Sequence, residues 1–231
     1  MTNRIPLPEL PRRWPGTRLP GYREHAARYA TYTAFSFEAL PQVIRDFDDD
    51  FRRLCAEPIV PASLAEIAAP PVRDARQGQL TDLLGPHAIT LPPSFLSFIA
   101  SDEPRKRIRS ATDCYLDLAE ALVPVDTGGL LIHFLSDSQF CFHWLLYSGP
   151  NGEEAVVATR DPYGFVHPDA WIDETSVRTA FTPGAVPESF VCAASFSDFI
   201  YRLWIENEIW FRLQLESRPL TEEQERYVGF Y

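Results

Sequence analysis

The sequence predicts an α+β fold in which a mostly antiparallel sheet packs against helices, with a helical extension at its N-terminal side. Two observations predict it: the middle of the chain holds short β-rich segments joined by turns, and a strongly amphipathic helix follows them. The 231 residues include 45% hydrophobic and 13% aromatic side chains, enough for a sizeable core. Disorder of the whole chain is thereby excluded.

The N-terminal part predicts an extended arm followed by helices. Five prolines fall within the first 21 residues, and their fixed φ angles and missing donors exclude a helix there. From Pro41 onward the sequence predicts a helix, because five apolar residues recur at helical spacing: Val43, Ile44, Phe47, Phe51 and Leu54. A further helix is predicted to begin at Pro92 or Pro93, with an apolar side made of Phe95, Leu96, Phe98 and Ile99.

The middle of the chain predicts the sheet. Residues 129–135, 140–147 and 154–159 are rich in β-formers, and strands at 114–118 and 189–194 flank them. Strands joined by such short turns must pair antiparallel. A helix capped by Ser195 and Asp198 follows and is expected to cover the sheet, giving two layers. A short acidic helix is predicted at 221–226.

Composition limits the kind of partner. The net charge is −11 and the chain has one lysine, Lys106, so nucleic acid is not expected as a direct ligand. No run of residues has the length and apolarity of a signal peptide or a membrane span. The four cysteines show no C-x-x-C pair and are interpreted as reduced thiols of a cytoplasmic protein. No cofactor is expected.

Reactive residue types concentrate in the predicted hairpin at His133, Cys141 and His143, which suggests a metal site or an activated thiol. Side-chain alternation argues against it. If Leu135 pairs with Phe140 across a four-residue loop, the two histidines lie on opposite faces of the sheet. A small metal- or thiol-dependent enzyme therefore stays an alternative.

A partner-binding surface is the preferred hypothesis. The acidic residues predicted to form it lie in the hairpin loop and in the long loop after the third strand: Asp137, Asp161, Asp169, Asp173 and Glu174. Tryptophan and tyrosine between the later acids would supply anchoring area. Asp48, Asp49 and Asp50 form a second, weaker candidate patch.

Four stretches resemble the SUKH superfamily, which includes fungal regulators of cell-wall assembly and many bacterial immunity proteins. They are LPPSFLSFI at 91–99, RSATDCYLDL at 109–118, LIHFLSDSQFCFHWLLY at 131–147 and ASFSDFIYRLW at 194–204. The resemblance implies a mixed sheet backed by helices and a non-enzymatic role, such as neutralising a cognate toxin by binding it. It implies no fixed binding residues.

The chain is accordingly divided into a proline-rich arm and helical extension at 1–78, a SUKH-like domain at 79–215 and a C-terminal tail at 216–231. The expected partner is a protein, such as a basic toxin, because opposite charges speed encounter. Besides the small enzyme, a purely structural homo-oligomer is a second alternative to the binding protein.

Overall fold

The computed structural model describes residues 10–24, 31–41, 47–66, 84, 89–118, 122–125, 128–160 and 189–231. Eight strands lie within these ranges: β1 (Arg13–Gly16), β2 (Thr33–Ser36), β3 (Tyr115–Leu116), β4 (Val123–Pro124), β5 (Leu130–Ser136), β6 (His143–Ser148), β7 (Glu154–Thr159) and β8 (Ser189–Ala193). The α-helices described are α1 (Arg52–Cys55), α2 (Pro93–Ala100), α3 (Phe196–Phe211) and α4 (Glu222–Val228). A π-helical turn, Arg212–Glu216, continues α3.

The predicted α+β fold with an antiparallel sheet is confirmed. The main sheet runs in the order β3-β5-β6-β7-β8, and β4 pairs with the start of β5. Every pairing in it is antiparallel. Short turns connect β5 to β6 and β6 to β7, and such turns reverse the chain without room for a crossover.

The described part of the proline-rich arm, from residue 10 onward, lies along the edge of this sheet. Arg12 forms a parallel bridge with Val191 of β8, whose N–H donates to Pro11 O at 2.9 Å. β1 then pairs with β2 in a separate two-stranded sheet. Trp14 and Leu19 of the arm are buried in the main core. Bridging to β8 satisfies backbone groups that an edge strand would otherwise expose.

The main sheet is buried on both faces, whereas the sequence predicted two layers with one covered face. On one face, Phe134 and Trp144 pack against Phe199 of α3 at ring-centroid distances of 5.5 and 6.1 Å. On the other face, a second apolar cluster includes Leu131, Leu145, Tyr147, Val157 and Val191. β5 and β6 are therefore buried at every position.

The helix predicted from Pro41 is not continuous. Residues 42–46 lie outside the described ranges, residues 48–50 form a turn, and α1 begins only at Arg52. Phe51, with φ at 53°, has a left-handed backbone that no α-helix can pass through. The apolar spacing still predicts burial, because Phe47 and Phe51 both reach the core.

Three other predicted helices agree more closely. α2 begins at Pro93 as predicted, although Leu96 is 43% exposed and not part of its buried side. Ser195 caps α3 by accepting from the Asp198 N–H at 3.1 Å. α4 occupies the place of the predicted acidic helix. No helix within the described ranges combines the length and apolarity needed to cross a bilayer.

A buried charge network joins the arm, α3 and the C-terminal tail. Two of the three guanidinium nitrogens of Arg23, Nη1 and Nη2, donate to the Glu206 carboxylate, at 2.6 and 2.5 Å. Trp14 Nε1 and the Tyr227 hydroxyl donate to the same carboxylate at 2.8 and 2.7 Å. Segments from both ends of the chain thus meet around one side chain of α3.

Candidate functional site

The β5–β6 hairpin holds the reactive residue types, and its register differs from the predicted one. Ser136 pairs with His143 and Leu135 with Trp144, after which a bulge at Phe134 shifts the pairing so that His133 lies opposite Leu145. The predicted pairing of Leu135 with Phe140 is therefore wrong. The turn spans residues 137–142. The bulge inserts one unpaired residue into β5, and this reverses the face of the sheet to which each β5 residue beyond it points, relative to its partners on β6.

This register brings both histidines to the same side of the sheet, so the prediction of opposite faces is wrong. Their ring centroids are 5.5 Å apart. His133 Nε2 lies 2.9 Å and His143 Nδ1 2.8 Å from Ser136 Oγ. Ser136 Oγ donates in turn to Asp117 Oδ2 at 2.9 Å. We refer to Asp117, His133, Ser136 and His143 as the Ser136 cluster.

Proton counting shows what the Ser136 cluster does in this arrangement. A serine hydroxyl has one proton, and here it points to Asp117. His133 Nε2 also lies 3.1 Å from Leu135 O, which can only accept, so that nitrogen carries a proton. Ser136 Oγ is thus the acceptor for both imidazoles. A nucleophilic serine needs the reverse arrangement, with its hydroxyl donated to a base.

Cys141 does not belong to the Ser136 cluster. Its thiol lies 4.0 Å from Gln139 O at the tip of the turn. Burial and the neighbouring Asp137 carboxylate raise the pKa of the thiol, which favours the protonated, less nucleophilic form. Among the described residues, no group of three histidine, cysteine or carboxylate side chains is arranged to hold a metal ion.

The prediction that Asp137 belongs to a partner-binding surface is wrong, because the residue is fully buried. Its Oδ2 accepts from the Gln139 and Cys141 N–H groups, each at 3.1 Å, and its Oδ1 accepts from the Tyr32 hydroxyl at 3.3 Å. These bonds hold the turn closed over residues 137–142. An aspartate that bonds to the N–H two residues further on is a known turn device, and the Asp-Ser-Gln sequence was the available signal.

The remaining predicted contact acids divide into two groups. Asp161, Asp169, Asp173 and Glu174 lie outside the described residues. Asp48, Asp49 and Asp50 are all exposed, and we call them the acidic turn.

Glu154 adds a fourth acid to this region. Its carboxylate accepts from the Phe196 N–H at the start of α3, at 3.1 Å. Burial raises the pKa of Glu154, and the negative charge of Asp49 raises it further. Asp49 therefore lies close enough to Glu154 for the two carboxylates to repel each other.

A groove beside α4 was not foreseen from the sequence. Its volume is about 600 Å³, and five arginines and five glutamates are among its lining residues. One wall is the segment 58–61, which contains only proline, isoleucine and valine, and the other is the first turn of α4. Arg109 on the floor is paired with Glu208 and Glu216. The apolar Pro58-Ile-Val-Pro61 run was the signal available in the sequence.

Comparison with known proteins assigns no relative to this arrangement. No protein-family model, no curated protein and no solved structure matches the chain. What the protein does must therefore be argued from its own surfaces.

Proposed function

We propose that this protein is a non-enzymatic binding module of the cytoplasm that holds a basic protein partner. Its biological role would be that of an immunity-type protein neutralising a cognate toxin, or of a regulatory scaffold. The likeness of residues 79–215 to SUKH motifs supports this class of function. The observation that carries the proposal is the acidic turn.

The acidic turn concentrates three carboxylates at one place, one of which, Asp50, forms an exposed ion pair with Arg52 at 2.8 Å. Asp48, Asp49 and Asp50 are consecutive and exposed, and Asp49 is near enough to Glu154 to raise the pKa of its carboxyl group. Like charges at such a distance repel one another, and an approaching cation relieves that repulsion. With a net charge of −11, the whole chain adds a long-range field of the same sign. Such a field speeds encounter with a basic protein.

The test measures association with the protein that the neighbouring gene encodes, or with a protein that co-purifies from the native host. We expect the double variant Asp49→Asn/Asp50→Asn to associate several-fold more slowly at low salt, because steering is lost. At high salt the difference should nearly vanish, since screening removes the steering from both proteins.

A control variant with an equal loss of charge separates local from global effects. Asp113→Asn/Glu38→Gln neutralises two exposed acids elsewhere on the chain and should slow association less. Association rates of the Asp49/Asp50 variant that match those of the unchanged protein at low salt would sink the proposal. An acidic partner would sink it as well.

A further inference from the structure

We propose that a small cavity between the arm, the main sheet and α3 binds one water molecule. This water accepts a hydrogen bond from Trp144 Nε1 of β6 and donates one to Asn207 Oδ1 of α3. It is a structural ligand that joins the sheet to the helix beside the arm, and the inference is independent of the proposed function.

Trp144 has a buried donor that lacks an acceptor in the described part of the chain. The residue is 2% exposed, and its Nε1 atom has no hydrogen-bond partner within those ranges. An indole N–H can only donate, so no rearrangement of protons satisfies it. Buried N–H groups are nearly always bonded to protein or to ordered water, because an unmade bond costs the desolvation of the group. Trp144 therefore calls for an acceptor.

The carboxylate that lines the same cavity, that of Glu206, is already occupied. Its Oε1 accepts from Arg23 Nη1 and from the Tyr227 hydroxyl, and its Oε2 accepts from Arg23 Nη2 and from Trp14 Nε1. Trp14 also lines the cavity, and it has in Glu206 the direct partner that Trp144 lacks. Four bonds fill the carboxylate, which leaves no place for a second indole.

The cavity has the size and the polarity that a single water needs. The centre of a water molecule can occupy about 20 Å³ of it. One water needs roughly 10–15 Å³ in this measure, together with two to four polar partners. Hydroxyl, amide and carboxylate groups line the cavity beside Trp144: Thr17, Tyr32, Thr112, Glu206 and Asn207. The volume therefore limits the ligand to a molecule of the size of water.

Asn207 supplies the acceptor for the water. Its Nδ2 donates to Leu203 O at 2.7 Å, and its Oδ1 accepts from the Ala111 N–H at 2.6 Å. A carbonyl oxygen has two lone pairs, so Oδ1 keeps one for a proton of the water. The hydroxyl groups of Tyr32 and Thr112 are less available, because they bond to each other at 2.6 Å. Trp144 and Asn207 are thus the two partners that the water connects.

A crystal structure of the full chain at high resolution tests the site directly. We expect one ordered water within hydrogen-bond distance of both Trp144 Nε1 and Asn207 Oδ1. A direct bond from Trp144 Nε1 to a protein acceptor, a cavity without density, or a molecule larger than water would each overturn the inference.

Nuclear magnetic resonance tests the same water in solution. The chain has five tryptophans, so the indole signal that disappears in Trp144→Phe identifies the Trp144 proton. Should that variant fail to fold, triple-resonance spectra of the unchanged protein give the assignment. We expect the Trp144 proton to show a nuclear Overhauser effect to water with the sign of a long-lived, buried molecule. No such effect in the unchanged protein would contradict the inference.

Thr112→Ile and Thr112→Val form a matched pair of variants. Both remove the hydroxyl that bonds to Tyr32, but valine keeps the shape of threonine whereas isoleucine adds volume to the lining of the cavity. We expect Thr112→Ile to expel the water and lose the effect at Trp144, and Thr112→Val to retain it. Circular dichroism confirms that each variant is folded.

An effect at Trp144 that persists in folded Thr112→Ile would place the contacting water outside this cavity and overturn the inference. An effect lost equally in Thr112→Val would show that the hydroxyl, and not Asn207, holds the water. If Thr112→Ile does not fold, the crystal structure of the unchanged protein decides.

Discussion

At the scale of single residues, two buried polar groups organise the protein in different ways. Glu206 is a carboxylate surrounded by donors from three segments, and Ser136 is a hydroxyl that accepts from two imidazoles and donates to Asp117. Buried polar groups are stabilising only when their partners are present, so each group makes a sharp prediction.

The Ser136 cluster predicts the tautomers of its histidines. His133 should be protonated at Nε2, because Leu135 O accepts there, and His143 at Nδ1, because Ser136 Oγ accepts there. Nitrogen-15 chemical shifts of the ring nitrogens, measured near neutral pH, distinguish the tautomers. A His143 ring protonated only at Nε2 would contradict the assigned direction of these bonds.

Glu206→Gln should lower the free energy of unfolding by about 3–5 kcal/mol, because the Arg23 charge is left buried without its counter-ion. Urea denaturation at neutral pH measures the loss. Glu24→Gln is the control: its pair with Arg18 is exposed, and removing it should cost about 1 kcal/mol or less. Equal losses in both variants would show that the buried network is not a stabilising element.

The same residue predicts a pH dependence. Burial alone would raise the pKa of Glu206, but Arg23, Arg202 and Tyr227 outweigh burial and hold it below its ordinary value. A group with a lowered folded-state pKa stabilises above its unfolded pKa, which is about 4.3, and that contribution is lost as pH falls through the folded pKa. The stability of the unchanged protein should therefore fall on acidification more steeply than that of Glu206→Gln. Parallel curves below about pH 5 would contradict this.

At the scale of elements, the β5–β6 turn depends on Asp137. The carboxylate accepts from two N–H groups of its own turn, and Phe140 in the same turn has a left-handed backbone with φ at 57°. Without those bonds, a six-residue turn with a strained residue has little to hold its shape.

Asp137→Ala should cost about 2–4 kcal/mol, since both N–H groups and the Tyr32 hydroxyl lose a charged acceptor. Asp137→Asn keeps one acceptor oxygen and should cost less. Chemical denaturation gives the energies, and hydrogen exchange at the Cys141 amide reports the turn itself. An Asp137→Ala protein with unchanged protection at Cys141 would contradict the role as a turn clamp.

At the scale of the whole molecule, the arm, the central segment and the tail share one hydrophobic core. Trp14, Leu19 and Phe51 belong to the same buried cluster as Phe134 and Tyr227. We expect the segment 79–215, expressed alone, to lack a cooperative thermal transition, because these partners are missing. The full chain should show one. A sharp transition in the isolated segment, by circular dichroism and calorimetry, would show that it folds as an independent domain.

Local sequence determined the elements whose signals lie within a few residues. Strands were placed by β-rich runs between turns, α3 by the capping pair Ser195 and Asp198, and α2 by Pro93 at its first position. Burial of Phe47 and Phe51 followed from their apolar character even where the predicted helix was wrong. Each of these depends on side-chain chemistry and local backbone preference, which the chain encodes directly.

Only the tertiary structure decided which reactive groups meet. A single bulged residue, Phe134, placed His133 and His143 on one side of the sheet, and alternation along an ideal strand cannot reveal it. Asp137 is bonded by Tyr32, and the groove depends on the placement of Pro58–Pro61 opposite α4; both arrangements join residues far apart in the chain. Such long-range contacts are selected by how whole elements pack together, so no local pattern contains them.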